Sequence, residues 1–329
     1  MDKIAKGIGR GIAVQLGSEK FTVYALGRST RKSSSPVPRQ RPVAGGLDLT
    51  VESTAEEVTR QGGQGHAITC DLSEDNEIDR ILAEIFEKEG RIDVMVCSAY
   101  SVPLATSLRG NFWEQDMDMW DTVNGVGLRQ VYAACRAGAP LMIETARTTM
   151  ETPLICLVSS FGGKSYTFNV AYGVGKCAID RLATDMAYQL KKHGVASISL
   201  YPGLVKTEGN LQMLEDGSWD EASGGLDLSQ GESPAFSGKA VVQLAKLNEG
   251  DILERSGNVE VVAELANEFG FTDIDGSQPA SIRSLRYLLP NFVFPQIEEE
   301  AGKPVPQWIK SRVPDLLVPW SVFASPPPS

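Results

Sequence analysis

The chain predicts a doubly wound α/β fold: a parallel sheet covered by helices on both faces, three layers in all. Two observations carry this. Short apolar runs at Phe21–Leu26, Gly65–Cys70, Ile92–Val96, Leu154–Val158 and Val195–Leu200 alternate with longer stretches of helical period, the pattern of parallel strands joined through crossover helices. Residues 6–16, Lys-Gly-Ile-Gly-Arg-Gly-Ile-Ala-Val-Gln-Leu, read as a glycine turn entering a short helix with Ile8, Ile12 and Leu16 inward. Free backbone N–H groups and the helix dipole make such a turn a seat for an anion such as a pyrophosphate.

The elements follow in order. Arg28 sits just past the end of the Phe21–Leu26 strand, and residues 29–48, rich in Ser, Pro, Arg and Gly, lack apolar periodicity and read as an exposed loop. A helix over 50–61 ends at Gly62-Gly63, and Asp71-Leu72 lies at the carboxyl end of the Gly65–Cys70 strand. Ile78, Ile81, Leu82, Ile85 and Phe86 repeat at helical spacing up to a stop at Gly90. Ile92–Val96 leads into Cys97-Ser98-Ala99-Tyr100. Residues 115–143 predict one long helix, locally irregular where Asn124 and Gly125, both poor helix formers, fall together. Leu154–Val158 stops at Ser159-Ser160, a helix runs from Tyr172 to about His193 and ends at Gly194, and Val195–Leu200 is followed by Pro202-Gly203. Residues 208–232 are acidic and rich in Gly and Ser; a helix over 233–247 and a last strand over 258–265 complete one domain, 1–276. Residues 277–329 read as an appended, partly helical tail packed on the core or a partner, with a disordered Ser-Pro-Pro-Pro-Ser end. A looser role in membrane-surface contact would use Trp308, Leu316, Leu317 and Trp320.

A chain of 329 residues with 42% hydrophobic content can bury a substantial core. Its net charge of −11 argues against nucleic acid as a partner. No apolar run is long enough to span a membrane, and the first 15 residues lack a signal core, so a cytoplasmic location is expected. The five cysteines are scattered without metal-ligand spacing and only two histidines are present, so reduced thiols and no metal are expected.

Tyr172 and Lys176 stand four residues apart at the start of a helix and share one face. A phenol titrates near pKa ~10, and a neighbouring cation favours the phenolate, which suits a tyrosine general acid or base. A serine delivered by the preceding strand end would orient a carbonyl or hydroxyl substrate against it.

Tyr-Gly-Val-Gly-Lys at 172–176, Asn-Gly-Val-Gly-Leu-Arg at 124–129 and Gly-Arg-Ser-Thr-Arg at 27–31 resemble the short-chain dehydrogenase/reductase family over about Lys6 to Gly276. The resemblance implies a Rossmann-like sheet and a catalytic set of Asn124, a serine, Tyr172 and Lys176. The family's serine-to-tyrosine spacing points at Ser159 and the strand end at Ser160; Ser160 is preferred, because the strand fixes the serine and loops absorb deletions. For a dinucleotide, the resemblance implies contacts from Lys6, Gly7, Ile8 and Gly9 at the glycine turn. It adds Asp71 and Leu72 at the adenine, Ala99 at the ribose, Tyr172 and Lys176, and Pro202, Gly203, Val205 and Thr207 at the nicotinamide. Arg28 suits a 2′-phosphate, so NADP(H) is expected ahead of NAD(H). By position, 208–232 is a lid over the substrate.

The sequence departs from the family in two places. Asp2 and Lys3 stand where the fingerprint has Thr-Gly, with no room upstream for the usual central strand, and Cys97-Ser98 replaces Asn-Asn. Loss of that strand is expected to leave two inner strands without a partner and to open the core; a truncated chain start is the favoured explanation. The expected function is a carbonyl–alcohol oxidoreductase acting on a small molecule, with a homo-oligomer compatible. Its rivals are a non-catalytic binding or scaffolding protein on the same fold and an NAD-linked alcohol dehydrogenase.

Overall fold

Helix α1 (Gly7–Ser18) is entered from an extended Lys6 and a left-handed Gly7 with φ 58°, a conformation glycine adopts without steric cost. Its glycines also let it lie directly on α9 (Pro234–Ala245): a Cβ at Gly11 would fall 2.1 Å from the Pro234 carbonyl oxygen. The computed structural model describes residues 6–31, 48–72, 74–101 and 110–324. The loop expected over 29–48 falls largely outside the described residues, as do residues 1–5 and the 325–329 end.

The remaining elements alternate as the apolar runs imply: β1 (Thr22–Gly27), α2 (Val51–Arg60), β2 (Gln64–Thr69), α3 (Asp75–Glu89) and β3 (Val94–Cys97). There follow α4 (Met117–Asn124), α5 (Gln130–Thr149), β4 (Leu154–Val158), α6 (Val170–Leu190), β5 (Ala196–Tyr201), α7 (Glu208–Glu215) and α8 (Trp219–Ser223). Next come α9, α10 (Glu249–Arg255), β6 (Val259–Val261) and α11 (Val262–Phe269). Helix boundaries follow local chemistry: Thr50 and Ser53 close a capping box on α2, and Gly90, φ 74°, ends α3.

All strand pairs are parallel, but they fall into two sheets, β1-β2 and β3-β4-β5-β6. The split falls between β1 and β3. A cavity of about 540 Å³ opens between β1 and β3, lined by Ile12, Val23, Leu26, Leu82, Val94 and Val96 among others. Among the described residues β1 pairs only with β2, and β3 only with β4. The best-packed region is therefore the four-stranded sheet, where Leu154, Ile155, Cys156, Leu157, Ile198 and Leu200 are all buried.

One expectation needs correction. The last strand ends at Val261; Val262, Leu265, Ala266 and Phe269 repeat at i, i+3, i+4 and i+7, and that period makes α11 a helix. The helix α10 was not foreseen. The local irregularity expected at Asn124 and Gly125 within 115–143 takes the form of a π-helical turn, Gly125–Arg129, that joins α4 to α5.

Beyond Gly276 lie α12 (Leu285–Leu288), α13 (Phe294–Ala301) and α14 (Gln307–Lys310). Arg283 fastens this segment to α11 through Glu264 at 2.6 Å, and Ser284 bridges to Leu317. Trp320 then packs on Tyr201 at 5.8 Å and under the Arg283 guanidinium at 5.0 Å. Trp308 and Leu316 are exposed. No helix among the described residues is long and apolar enough to cross a membrane.

The split sheet predicts uneven stability. Ile155→Ala, in the fully buried sheet, should cost about 2–5 kcal/mol; Leu26→Ala, at the open cleft, should cost under about 1 kcal/mol, because part of its transfer gain is already missing. Urea unfolding of both variants checks this, and equal losses would mean that the cleft is closed in solution.

Candidate active site

Four strands deliver their following residues to the same edge of the molecule: Arg28 after β1, Asp71 after β2, Ser160 after β4 and Pro202 after β5. In open α/β sheets the crevice outside the carboxyl ends of the strands is where ligands sit. Helix α6 crosses this edge next to β4 and β5. Its N-cap, Asn169, is buried and accepts the Tyr172 N–H at 2.9 Å, which fixes the first turn and with it the tyrosine.

Ser160 Oγ and Tyr172 Oη share a hydrogen bond of 2.6 Å. Ser159 turns the other way and donates to the Lys176 carbonyl at 3.2 Å. The geometry thus sets Ser160 beside the phenol, and the strand end determines which serine faces it. Asn124 is buried against α6: its Nδ2 donates to the Ala171 carbonyl at 3.3 Å, while its Oδ1 is buried without a hydrogen-bond partner. A buried amide oxygen left unpaired costs free energy, and the adjoining π-turn is a form often found at functional sites.

Lys176 is anchored at the end of β4. Its ammonium donates to the Val158 carbonyl at 3.1 Å and lies over the rings of Tyr100 and Tyr172, at 5.3 and 5.7 Å from their centroids. The cation is thus held by the strand end beside both rings. Burial pushes the Tyr172 phenol up to about 12, partly offset by the Ser160 hydrogen bond. Burial likewise lowers Lys176 to about 8, against the opposing pull of Asp180. Asp180, itself buried, accepts from Ser199 at 2.6 Å and from Tyr201. Tyr100 meets the Tyr172 ring edge-on at 5.5 Å and completes the apolar wall.

The expected cofactor contacts are only partly assembled. Gly7 touches Thr207, which N-caps α7, and Pro202-Gly203 follows β5 directly. Gly9, Leu72 and Ala99 line the cleft between the two sheets. Ile8 and Val205 pack inward, the first on the core and the second against Glu232. Lys6 is the extended N-cap of α1. Arg28 and Asp71, expected at different parts of a nucleotide, instead face each other at 3.7 Å, both side chains more than one-third exposed. Such a pair is worth about 0–1 kcal/mol and can be exchanged for a stronger partner.

Glu208 was not singled out by sequence. Its carboxylate accepts the Gly7 N–H at 2.7 Å, so an internal anion occupies the N-terminus of α1. The dipole and free N–H groups there select negative charge. Only its place directly after Thr207 could have drawn attention to it.

The short chain dehydrogenase profile matches residues 43–217, more than half of the chain. The chain belongs to the short-chain dehydrogenase family. It is 39% identical over 292 residues to Dehydrogenase/reductase SDR family member 1 of Mus musculus, covering 87% of this chain and 85% of that protein. The Homo sapiens protein of the same name is 37% identical over 294 residues, with the same coverage. Among solved structures, a short chain dehydrogenase from Mycobacterium paratuberculosis bound to NAD superposes with TM-score 0.61 at 21% identity, over 79% of this chain and 93% of that one. A metagenomic short-chain oxidoreductase in complex with NADP gives TM-score 0.57 at 23% identity, over 79% and 93%. These two likenesses concern the fold.

Short-chain dehydrogenases bind a nicotinamide cofactor, and two features fit one here: a helix N-terminus that already holds an anion, and a buried Asn124 oxygen in want of a donor. Any dinucleotide phosphate at α1 must displace Glu208. Glu208→Ala should therefore tighten dinucleotide binding, by roughly three- to tenfold given typical charge–dipole energies. Fluorescence titration tests this, and weaker binding by the variant would mean that Glu208 supports the site.

Proposed function

We propose that the protein is an NADP(H)-dependent oxidoreductase that interconverts a carbonyl and an alcohol on a small molecule, with Tyr172 as general acid and base. The observation that carries the reading is the 2.6 Å contact between Ser160 and Tyr172, at the strand edge where a substrate oxygen would meet both hydroxyls. The cofactor supplies the hydride when bound. Tyr172 holds its proton at Oη, since burial keeps the phenol neutral, and in the reductive direction gives it to the substrate oxygen. Ser160 orients that oxygen and stabilises charge developing on it. Lys176, held on the Val158 carbonyl beside the Tyr172 ring, is placed to bind the ribose and to stabilise a phenolate as it forms. Asn124, with its free Oδ1, is placed to hold a water that returns the proton.

NADP(H) is preferred because Arg28, at the end of β1, pairs with Asp71 at a position where both side chains are more than one-third exposed. A 2′-phosphate offers a stronger charge-assisted partner than a half-exposed carboxylate. Arg28→Ala should then erase any preference for NADPH over NADH in paired titrations; tighter binding of NADH by the unaltered protein would assign it to NAD. The split sheet favours a second reading, a binding module without turnover. That reading gains if NADPH neither binds nor raises the melting temperature.

Tyr172→Phe tests the chemistry. Turnover of a carbonyl substrate with NADPH should fall by at least 10²-fold, the scale of general acid catalysis, while NADPH binding stays within about twofold. Retained turnover would remove Tyr172 from the mechanism. Ser160→Ala deletes the hydrogen bond that lowers the phenol, so the pH profile of alcohol oxidation should move to higher pH as well as fall. An unshifted profile would detach Ser160 from the tyrosine's titration.

A further inference from the structure

Glu232 is 1% exposed and lies against the Pro202–Thr207 segment. Its backbone N–H donates to the Leu204 carbonyl at 2.7 Å, and its carbonyl accepts the Lys206 N–H at 2.8 Å, a parallel bridge to Val205. Its carboxyl accepts the Gly203 N–H at 3.1 Å and the Ser237 hydroxyl at 3.3 Å. A Cβ at Gly203 would come 2.9 Å from the same carboxyl oxygen. No Lys or Arg forms an ion pair with it among the described residues. The titratable groups that face it are Asp273, from the segment after α11, and Tyr287 of α12.

A clamp alone does not explain a carboxyl group here. A buried amide could accept the Gly203 N–H through its oxygen and donate its NH2 to a turned Ser237 hydroxyl, without the cost of burying an ionisable acid. Without a cation, burial pushes Glu232 up to about 8 with Asp273 adding to the rise, and Glu232 in turn raises Tyr287. The group can therefore exchange a proton near neutral pH, one hydrogen bond away from the Pro202-Gly203 turn.

We propose that Glu232 is a positioning residue for the nicotinamide end of the site, and that its proton tunes the choice between oxidised and reduced cofactor. This rests on the oxidoreductase reading above, together with the family resemblance, which implies that Pro202-Gly203 meets the nicotinamide. The oxidised ring carries a positive charge and the reduced ring none. An ionised Glu232 favours the cationic ring through a low-dielectric path; a protonated Glu232 removes that preference. Binding of the oxidised form thus releases the Glu232 proton to solvent, and the reduced form lets it stay. Both forms carry the same 2′-phosphate, so its own titration cancels in the ratio of their affinities.

The experiment measures dissociation constants of NADP⁺ and NADPH from pH 6.5 to 9.5 for the unaltered protein, Glu232→Gln and Ser237→Ala. In the unaltered protein the affinity for NADP⁺ relative to NADPH should rise on the order of tenfold across this range. Glu232→Gln should hold the ratio flat, and isothermal titration in buffers of different ionisation enthalpy should show proton release on NADP⁺ binding only when Glu232 is present. Ser237→Ala, which removes a hydrogen bond that lowers the carboxyl, should move the midpoint to higher pH and keeps the test available if Glu232→Gln fails to fold. A flat ratio in the unaltered protein, or an unchanged slope in Glu232→Gln, overturns the proposal and leaves the oxidoreductase reading intact. Absence of binding by either cofactor overturns both.

Discussion

Helix α6 approaches α4 so closely that Gly175 has no space for a side chain: a Cβ there would lie 2.3 Å from Asn124 Oδ1. A second close approach, at Gly162, puts the loop after Ser160 against the Tyr172 ring, 2.5 Å from where a Cβ would sit. These contacts lock together three elements distant in sequence, the end of α4, the end of β4 and the first turns of α6. Asn124, Ser160, Tyr172 and Lys176 are neighbours because of that packing. A side chain at 162 would press on the Tyr172 ring that carries the phenol, and one at 175 on the Asn124 amide.

The same rigidity does not extend across the molecule. Ser160, Tyr172 and Lys176 hang on the continuous four-stranded sheet, whereas Arg28 and Asp71 follow the strands of the two-stranded sheet across the cleft. A dinucleotide spanning both would have to bridge two bodies whose only shared layers are helices. Helix α1, docked on α9 and tied through Gly7 to Glu208, is one such bridge. The chemistry thus has a firm base, and nucleotide recognition depends on how well the helices hold the two sheets in register.

Much of this was legible in the chain. Leu154–Val158 gave its strand to the residue because a fully buried parallel strand is a continuous apolar run bounded by loop residues. The irregularity at Asn124 followed from two poor helix formers side by side, and the strand end selected Ser160 over Ser159. What escaped was tertiary. That Lys176 donates to the Val158 carbonyl is not revealed by spacing on one helix. Glu208 and Glu232 sit in an acidic stretch where nothing distinguishes them from solvated neighbours until the fold brings Gly7 and Gly203 to them. The strand misassigned over 258–265 fails for a local reason: three residues of strand pass straight into a helix with no loop between them.

The buried ionisable groups show what the site costs the fold. Glu232 is raised from 4.5 to about 8, so its contribution to stability is present below its unfolded value and lost as pH rises through the folded one. Lys176 is lowered from 10.5 to about 8, so its contribution is present above its unfolded value and lost as pH falls through the folded one. The two losses meet near pH 8, where neither group returns the stability it would give at its favourable extreme. Core packing alone would select against both, since an apolar pair of similar volume carries no such penalty. The proposed chemistry at Tyr172 would account for Lys176, and Glu232, bonded to the Gly203 N–H, calls for an equally specific reason to be ionisable.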